Sequence, residues 1–264
     1  MTKQVFNDID ELIKFLNSLP NNFVYRGHAN ASWKLESTLE RVIGKNWSVD
    51  GATRFEDYSL QRFKAKFHLY DRENFEPKSK LSWLSIMQHY GIPTRLLDFT
   101  ESPYVALYFA LEFYEARSSN DLAVYAIDYT SLLEASLNYI KQKDKDFNET
   151  RASINCKQDI IFDTIVDRFS YDIAWVTEPA QLNARMDRQS GCFILSGNRG
   201  LKLEEILNSD LYKNCQIVKC IISGQLYTNM FALLRKMNLN ASVIYGDLAG
   251  LAKSIRMEMQ VHTV

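Results

Sequence analysis

Residues 88–110, QHYGIPTRLLDFTESPYVALYFA, gather a histidine, an arginine–aspartate pair, three hydroxyls and a helix start around one Gly–Pro turn. Gly91 and Pro93 turn the chain between Tyr90 and Thr94. Arg95–Phe99 follows as a short strand whose apolar residues are Leu96, Leu97 and Phe99. Ser102 is the expected cap of the next helix, and Pro103 suits its first position. Val105, Ala106, Phe109 and Ala110 recur at helical spacing, so the helix Pro103–Glu115 buries one face. A helix N-terminus offers unpaired N–H groups and partial positive charge, which can receive a phosphate or carboxylate. The plainer reading is a well-capped core helix with polar loop residues. Arg95 and Asp98 are expected to pair. His89 is either a donor to a ligand or a histidine satisfied by a backbone carbonyl.

Other elements must bring partners to this stretch. Residues 6–19 place Ile9, Leu12, Ile13 and Leu16 at i, i+3, i+4 and i+7 behind a cap at Asn7 or Asp8, which predicts an amphipathic helix. Phe23–Val24–Tyr25 is a short strand leading into Arg26–Gly27. There Arg26 leaves a strand end, and Gly27 allows a ligand or backbone to come close. Trp33 and Leu35 are expected in the core, and Arg41 is expected to pair with a carboxylate inside the fold. A basic helix over 53–71 carries Phe55, Phe63, Phe67 and Tyr70 on one face and Arg62, Lys64 and Lys66 on a solvated one. Leu81–Tyr90 is a further helix, which delivers Gln88 and His89 to the turn.

Downstream, Leu122–Ile127 reads as a buried strand and Leu132–Ile140 as a helix. Ile160, Ile161, Ile165 and Val166 mark another helix, and Trp175–Val176 a short strand. In QLNARMDRQSGCFILSG (181–197), Leu182, Arg185 and Met186 look helical, and Cys192–Leu195 is a strand. Arg185, Arg188 and Gln189 then stand at an element end, where ligand sites tend to lie; Arg188 reads as a surface residue. Leu203–Leu207 is a helix, Cys215–Ile222 a strand and Gln225–Met237 a helix, and Asp247 caps a last helix, Leu248–Met257.

Composition excludes several classes. With 31 basic and 32 acidic residues the net charge is −1, so nothing argues for a basic nucleic-acid-binding surface. Cys156, Cys192, Cys215 and Cys220 form no CxxC pair and no spaced histidine joins them, which predicts no metal site and buried thiols in a reducing compartment. No apolar run suggests a signal peptide or a membrane span, so a cytoplasmic protein is expected. GxGxxG and P-loop motifs are absent. Strands mixed with helices of unequal length, without a repeat or linker, predict one α+β domain over 1–264 with helical insertions.

Four pieces in order resemble the FRG domain family, named for a Phe/Tyr-Arg-Gly motif. They are Tyr25–Arg26–Gly27 with Trp33, Leu35, Leu39 and Arg41; the stretch 88–110; EPAQLNARMDRQSGCFIL; and ASVIYGDLAGLAKSI, which resembles the family's C-terminal strand and closing helix. Together they run from 24 to about 255. The family is distantly similar to the ADP-ribosyltransferase superfamily, which implies a split, mostly antiparallel sheet and NAD as substrate. It also implies a setting in bacterial defence or a toxin system. By that resemblance Arg26 fills the first-strand position, Thr100 or Ser102 the second, and Gln189 the third, where a glutamate is usual; Glu178 or Asp98 is a substitute carboxylate. Arg26, Thr100 and Gln189 are thus the candidate catalytic residues, and Arg26, His89, Arg95 and Ser102 the candidate NAD-binding ones. The acceptor, protein or nucleic acid, is left open. The alternatives are a non-catalytic module holding a nucleotide or nucleic-acid end in the same cleft, and a purely structural domain in which Arg26 and Arg95 make internal salt bridges.

Overall fold

A computed structural model describes residues 1–70, 77–115, 118–180 and 184–262, and within 184–262 the side chains of Ala184, Arg185 and His262 are left aside. Seven strands form one sheet: β1 (Thr2–Phe6), β2 (Phe23–His28), β3 (Leu97–Thr100), β4 (Leu122–Asp128), β5 (Ala174–Thr177), β6 (Gly191–Ser196) and β7 (Ile217–Ile222). Their order is β1-β7-β4-β2-β3-β6-β5, and every pairing is antiparallel except β1 with β7. The helices in chain order are α1 (Ile9–Ser18), α2 (Thr38–Ile43), α3 (Val49–Phe67), α4 (Lys80–His89), α5 (Pro103–Glu112), α6 (Tyr129–Lys143), α7 (Arg151–Asn155), α8 (Gln158–Thr164), α9 (Ala184–Arg188), α10 (Leu203–Leu207), α11 (Tyr227–Lys236), α12 (Ala241–Tyr245) and α13 (Leu248–His262). The class is α+β, as the mixture of element types predicts.

Burial explains the order. β4 is apolar in nearly every residue and sits well inside the sheet, buried on both faces. One core joins α1, α5, α11 and α13 to β2, β4 and β7; another joins α3, α4, α6 and α8 to β5 and β6. The helix α5 lies against β2, capped by Ser102 as expected, with Pro103 in its first turn. Gly27 is what lets it lie there. A Cβ at Gly27 would sit 1.9 Å from the Ala106 carbonyl oxygen and 2.6 Å from the Ala110 nitrogen. The close approach at Gly27 is therefore made by the protein's own helix.

Several expectations change. The chain opens with a strand, β1, ahead of the first helix; only Phe6 of TKQVF is buried, so an edge strand hides in polar sequence. Residues 241–245, expected as a strand, form the helix α12. Leu182 lies outside the described residues. Arg95 does not pair with Asp98. Its Nε lies 3.4 Å from Glu56, its Nη2 bonds Asp167, and its guanidinium sits over the rings of Phe162 and Phe169, 5.0 and 4.3 Å away. Glu56, on α3 and wholly buried, also takes Arg199 at 2.9 Å and Lys80 at 3.5 Å. Such a cluster holds only while every charge keeps its partners.

Two substitutions test this packing through urea-unfolding midpoints. Gly27→Ala should cost about 3 kcal/mol, because backbone stands where the methyl must go. Glu56→Ala should cost about 3–5 kcal/mol, since it leaves the buried Arg199 without its carboxylate and takes one of two from Arg95.

Candidate functional site

Although β2 and β3 are neighbours in the sheet, they pair at one position only, Tyr25 with Thr100. Past it the strands part. β2 carries Arg26, Gly27 and His28 along the β4 ladder, while β3 stays on β6. Arg26 fills the opening. Its Nη1 donates to the Asp98 carbonyl at 2.7 Å and its Nε donates to His28 Nε2 at 3.0 Å. The Asp98 carboxylate stands 4.0 Å off and is largely solvated, so it offsets the charge weakly. Among the described residues, no hydrogen bond leaves Nη2.

The Arg26 side chain is 17% exposed and lines a cleft of about 770 Å³. Burial lowers its pKa to about 10, with Asp98 opposing and Arg41 adding to the fall, so it keeps its proton at neutral pH. His28 is the alternate residue of the strand and shares Arg26's face. Burial, and then Arg26, Lys219 and Arg41, push its pKa down to about 3. A guanidinium can only donate, so Nε2 is the acceptor and the proton of the neutral ring sits on Nδ1. The ring meets Tyr125 edge-on at 5.1 Å.

The cleft draws on distant segments. Lys34 and Arg41 add cations; Trp33, Phe109, Phe113 and Tyr245 add rings; Glu36, Asp98 and Glu112 add carboxylates. Glu112 accepts from the Tyr245 hydroxyl (2.7 Å to the nearer oxygen) and from Lys253 at 2.7 Å. Arg41 has no carboxylate partner among the described residues, contrary to expectation. It bonds the Glu36 carbonyl and, at 3.1 Å, the Thr38 hydroxyl. Trp33, expected in the core, is 50% exposed at the cleft.

Of the residues singled out in the sequence, Arg26, Thr100 and Gln189 line this one cleft, whereas His89, Arg95 and Ser102 are not among its lining residues. The Thr100 hydroxyl is engaged within the protein. It donates to the Gln189 carbonyl at 2.5 Å and accepts from Ser102 N–H at 3.1 Å. Its work is to hold the turn that presents Gln189, helped by Glu101 N–H to the Ser190 carbonyl at 3.0 Å. The Gln189 side-chain nitrogen is buried and finds no acceptor among the described residues. Ser102 spends its hydroxyl on Val105 N–H. His89 closes α4 and meets Tyr90 edge-on. Arg188 rests on the left-handed turn at Gly246.

Glu178 is elsewhere. It lines a second cleft of about 910 Å³ with Glu101, Asp159 and Asp163. Burial, and then Glu101, raise its pKa. Lys78, Arg151 and Lys157 line that cleft as well, so its charges are mixed. Among the described residues no group of three or more His, Cys, Asp or Glu is placed to hold a metal ion, and no helix is long and apolar enough to cross a membrane. Sequence reading missed His28, Glu112, Tyr245 and Lys253. His28 was legible from strand alternation in YRGH, and Glu112 as the acid interrupting the run ALYFALEFY; Tyr245 and Lys253 carry no local signal.

In comparison with known proteins, the family model of the FRG domain matches residues 21–120, which covers the first two of the four sequence pieces. No curated protein and no solved structure matches the chain.

The depressed His28 pKa fixes a sign. Between pH about 6.5 and about 3 the unfolded chain binds a proton that the folded chain refuses. Stability should therefore fall as the pH drops through that window. In His28→Gln, whose side chain can still accept from Arg26, the slope of unfolding free energy against pH should be shallower there; equal slopes would contradict the assignment.

Proposed function

The chain carries an FRG domain over residues 21–120, and on that footing we propose that the cleft at Arg26 binds NAD or a related nucleotide and supports ADP-ribosyl transfer or NAD cleavage. The observation that carries this reading is the parting of β2 and β3 around a charged, partly exposed guanidinium with unused donors. Arginine's planar fork matches phosphate oxygens in pairs, and the weakly compensated charge of Arg26 and Arg41 favours an anion. A sheet that opens between two adjacent strands is also what a resemblance to the ADP-ribosyltransferase split-sheet fold implies. The cleft volume falls within the range of small-molecule sites.

In the proposed chemistry the bond between ribose C1′ and the nicotinamide nitrogen breaks, and its electron pair leaves with nicotinamide. Positive charge builds on the sugar, as in glycoside hydrolysis. Water or an acceptor nucleophile then joins C1′ and gives up a proton. Arg26 grips the phosphates. Gln189 donates its free amide N–H groups to a ribose or carboxamide oxygen; a buried donor without an acceptor costs about 1–3 kcal/mol, which a ligand oxygen relieves. Thr100 acts through Gln189 as a positioning residue. His28 keeps the guanidinium aimed. A setting in bacterial defence or a toxin system, and a cytoplasmic location, belong to the same reading.

One observation favours a second reading, a binding module without catalysis. Gln189 brings no negative charge, and Glu112, a carboxylate of the same cleft, is occupied by Lys253 and Tyr245. The two readings separate when purified protein is incubated with NAD and nicotinamide release is followed beside calorimetric binding. Wild type should bind NAD. Arg26→Ala should weaken binding ten-fold or more, and Arg26→Lys should recover little of it, because the fork is lost. Nicotinamide released by wild type and not by Arg26→Ala supports transfer or cleavage; binding without release supports the module. Absence of binding by wild type contradicts both.

A further inference from the structure

The indole of Trp33 is out of place for a tryptophan in an apolar pattern. The backbone around it is tied down. Ala31 N–H bonds the Asp121 carbonyl at 2.7 Å, Trp33 N–H bonds the Asn30 carbonyl at 3.1 Å, and Leu35 N–H bonds the Glu204 carboxylate at 2.6 Å. The Trp33 carbonyl itself accepts from the Tyr125 hydroxyl at 2.9 Å. These bonds cross from the loop to β4 and α10, so the loop is fixed to the sheet and its largest side chain is nonetheless half exposed. Trp83 and Trp175 are buried and Trp47 half-buried. Single exposed apolar residues are ordinary. This one lines the cleft, and its ring stands 6.1 Å from that of His28, the hydrogen-bond partner of Arg26.

A rigid aromatic face beside a phosphate-gripping guanidinium is the pairing that a nucleotide needs, one group for the anion and one for the base. We propose that Trp33 is the stacking platform for the base of the ligand, so that the site selects a phosphate-bearing molecule with a flat aromatic ring over a bare phosphate or pyrophosphate. The proposal rests on the nucleotide reading of the cleft and narrows it to base-bearing ligands. A stacked base contributes enough that its loss is read as a change in affinity of about ten-fold or more. Fixing the loop beforehand lowers the ordering cost at binding.

The test titrates the full chain with NAD, ADP-ribose and inorganic pyrophosphate, by calorimetry and by tryptophan emission. Wild type should bind all three, and NAD and ADP-ribose should change the emission. Trp33→Ala should lose about ten-fold or more in affinity for NAD and ADP-ribose while pyrophosphate binding stays within two-fold, with little change in melting temperature. Trp33→Phe, which keeps a ring, should bind both base-bearing ligands near wild-type strength and lose the emission change. If Trp33→Ala binds NAD and ADP-ribose as wild type does, or if Trp33→Phe keeps the emission response, the platform is overturned and the anion site stands. If wild type binds none of the three, the nucleotide reading fails and the platform fails with it.

Discussion

A guanidinium lodged where two neighbouring strands separate is the interaction on which the site depends. β2 and β3 share a single pairing position, and Arg26 bridges the opening through the Asp98 carbonyl. The bridge satisfies a backbone acceptor that a continuous ladder would have satisfied with an N–H. It also holds a partly buried positive charge in the cleft, where an anion is attracted more strongly than at an open surface. The strand pairing, the helix α5 and the histidine beside the arginine are all consistent with keeping that charge where it is.

The supporting parts divide by task. Gly27 allows α5 to lie directly on β2, which fixes the strand that carries Arg26. His28 is kept neutral by burial and then by the charges of Arg26, Lys219 and Arg41, and so accepts from Arg26 rather than repelling it. Thr100 sits across from Tyr25 at the one shared position and ties the end of β3 to the turn bearing Gln189. The buried cluster of Glu56, Arg95, Arg199, Lys80 and Asp167 is separate from the cleft and joins α3, α4 and the segments around Asp167 and Arg199. The two arginines of the signature stretches therefore differ in role. Arg26 is partly exposed and lines the cleft, whereas Arg95 is buried among Glu56, Asp167 and phenylalanine rings.

What could be read from the sequence follows from how local each signal is. The α5 cap at Ser102, the apolar run of β4 and the amphipathic α1 rest on neighbours within a few residues, and they appear as expected. The strand β1 was hidden because an edge strand buries little, leaving no alternation to detect. Arg95 is expected to pair with Asp98 because the two stand only three positions apart in the sequence. Its real partners, Glu56 and Asp167, are brought to it by the tertiary fold. Trp33 was expected inside on hydrophobicity alone, a criterion that cannot distinguish a core ring from one held out at a cleft. Thr100 and Gln189 stand at a strand end and in a turn, but Arg26, expected at a strand end, lies inside β2, which runs on to His28, and the use of the Thr100 hydroxyl within the protein depends on a contact across 89 residues.

A crystal structure of the protein with ADP-ribose tests the central claim most directly. The account predicts phosphate oxygens within hydrogen-bonding distance of Arg26 at the opening between β2 and β3. Ligand bound instead in the second cleft, around Glu178, or an Arg26 untouched in saturated crystals, would contradict it.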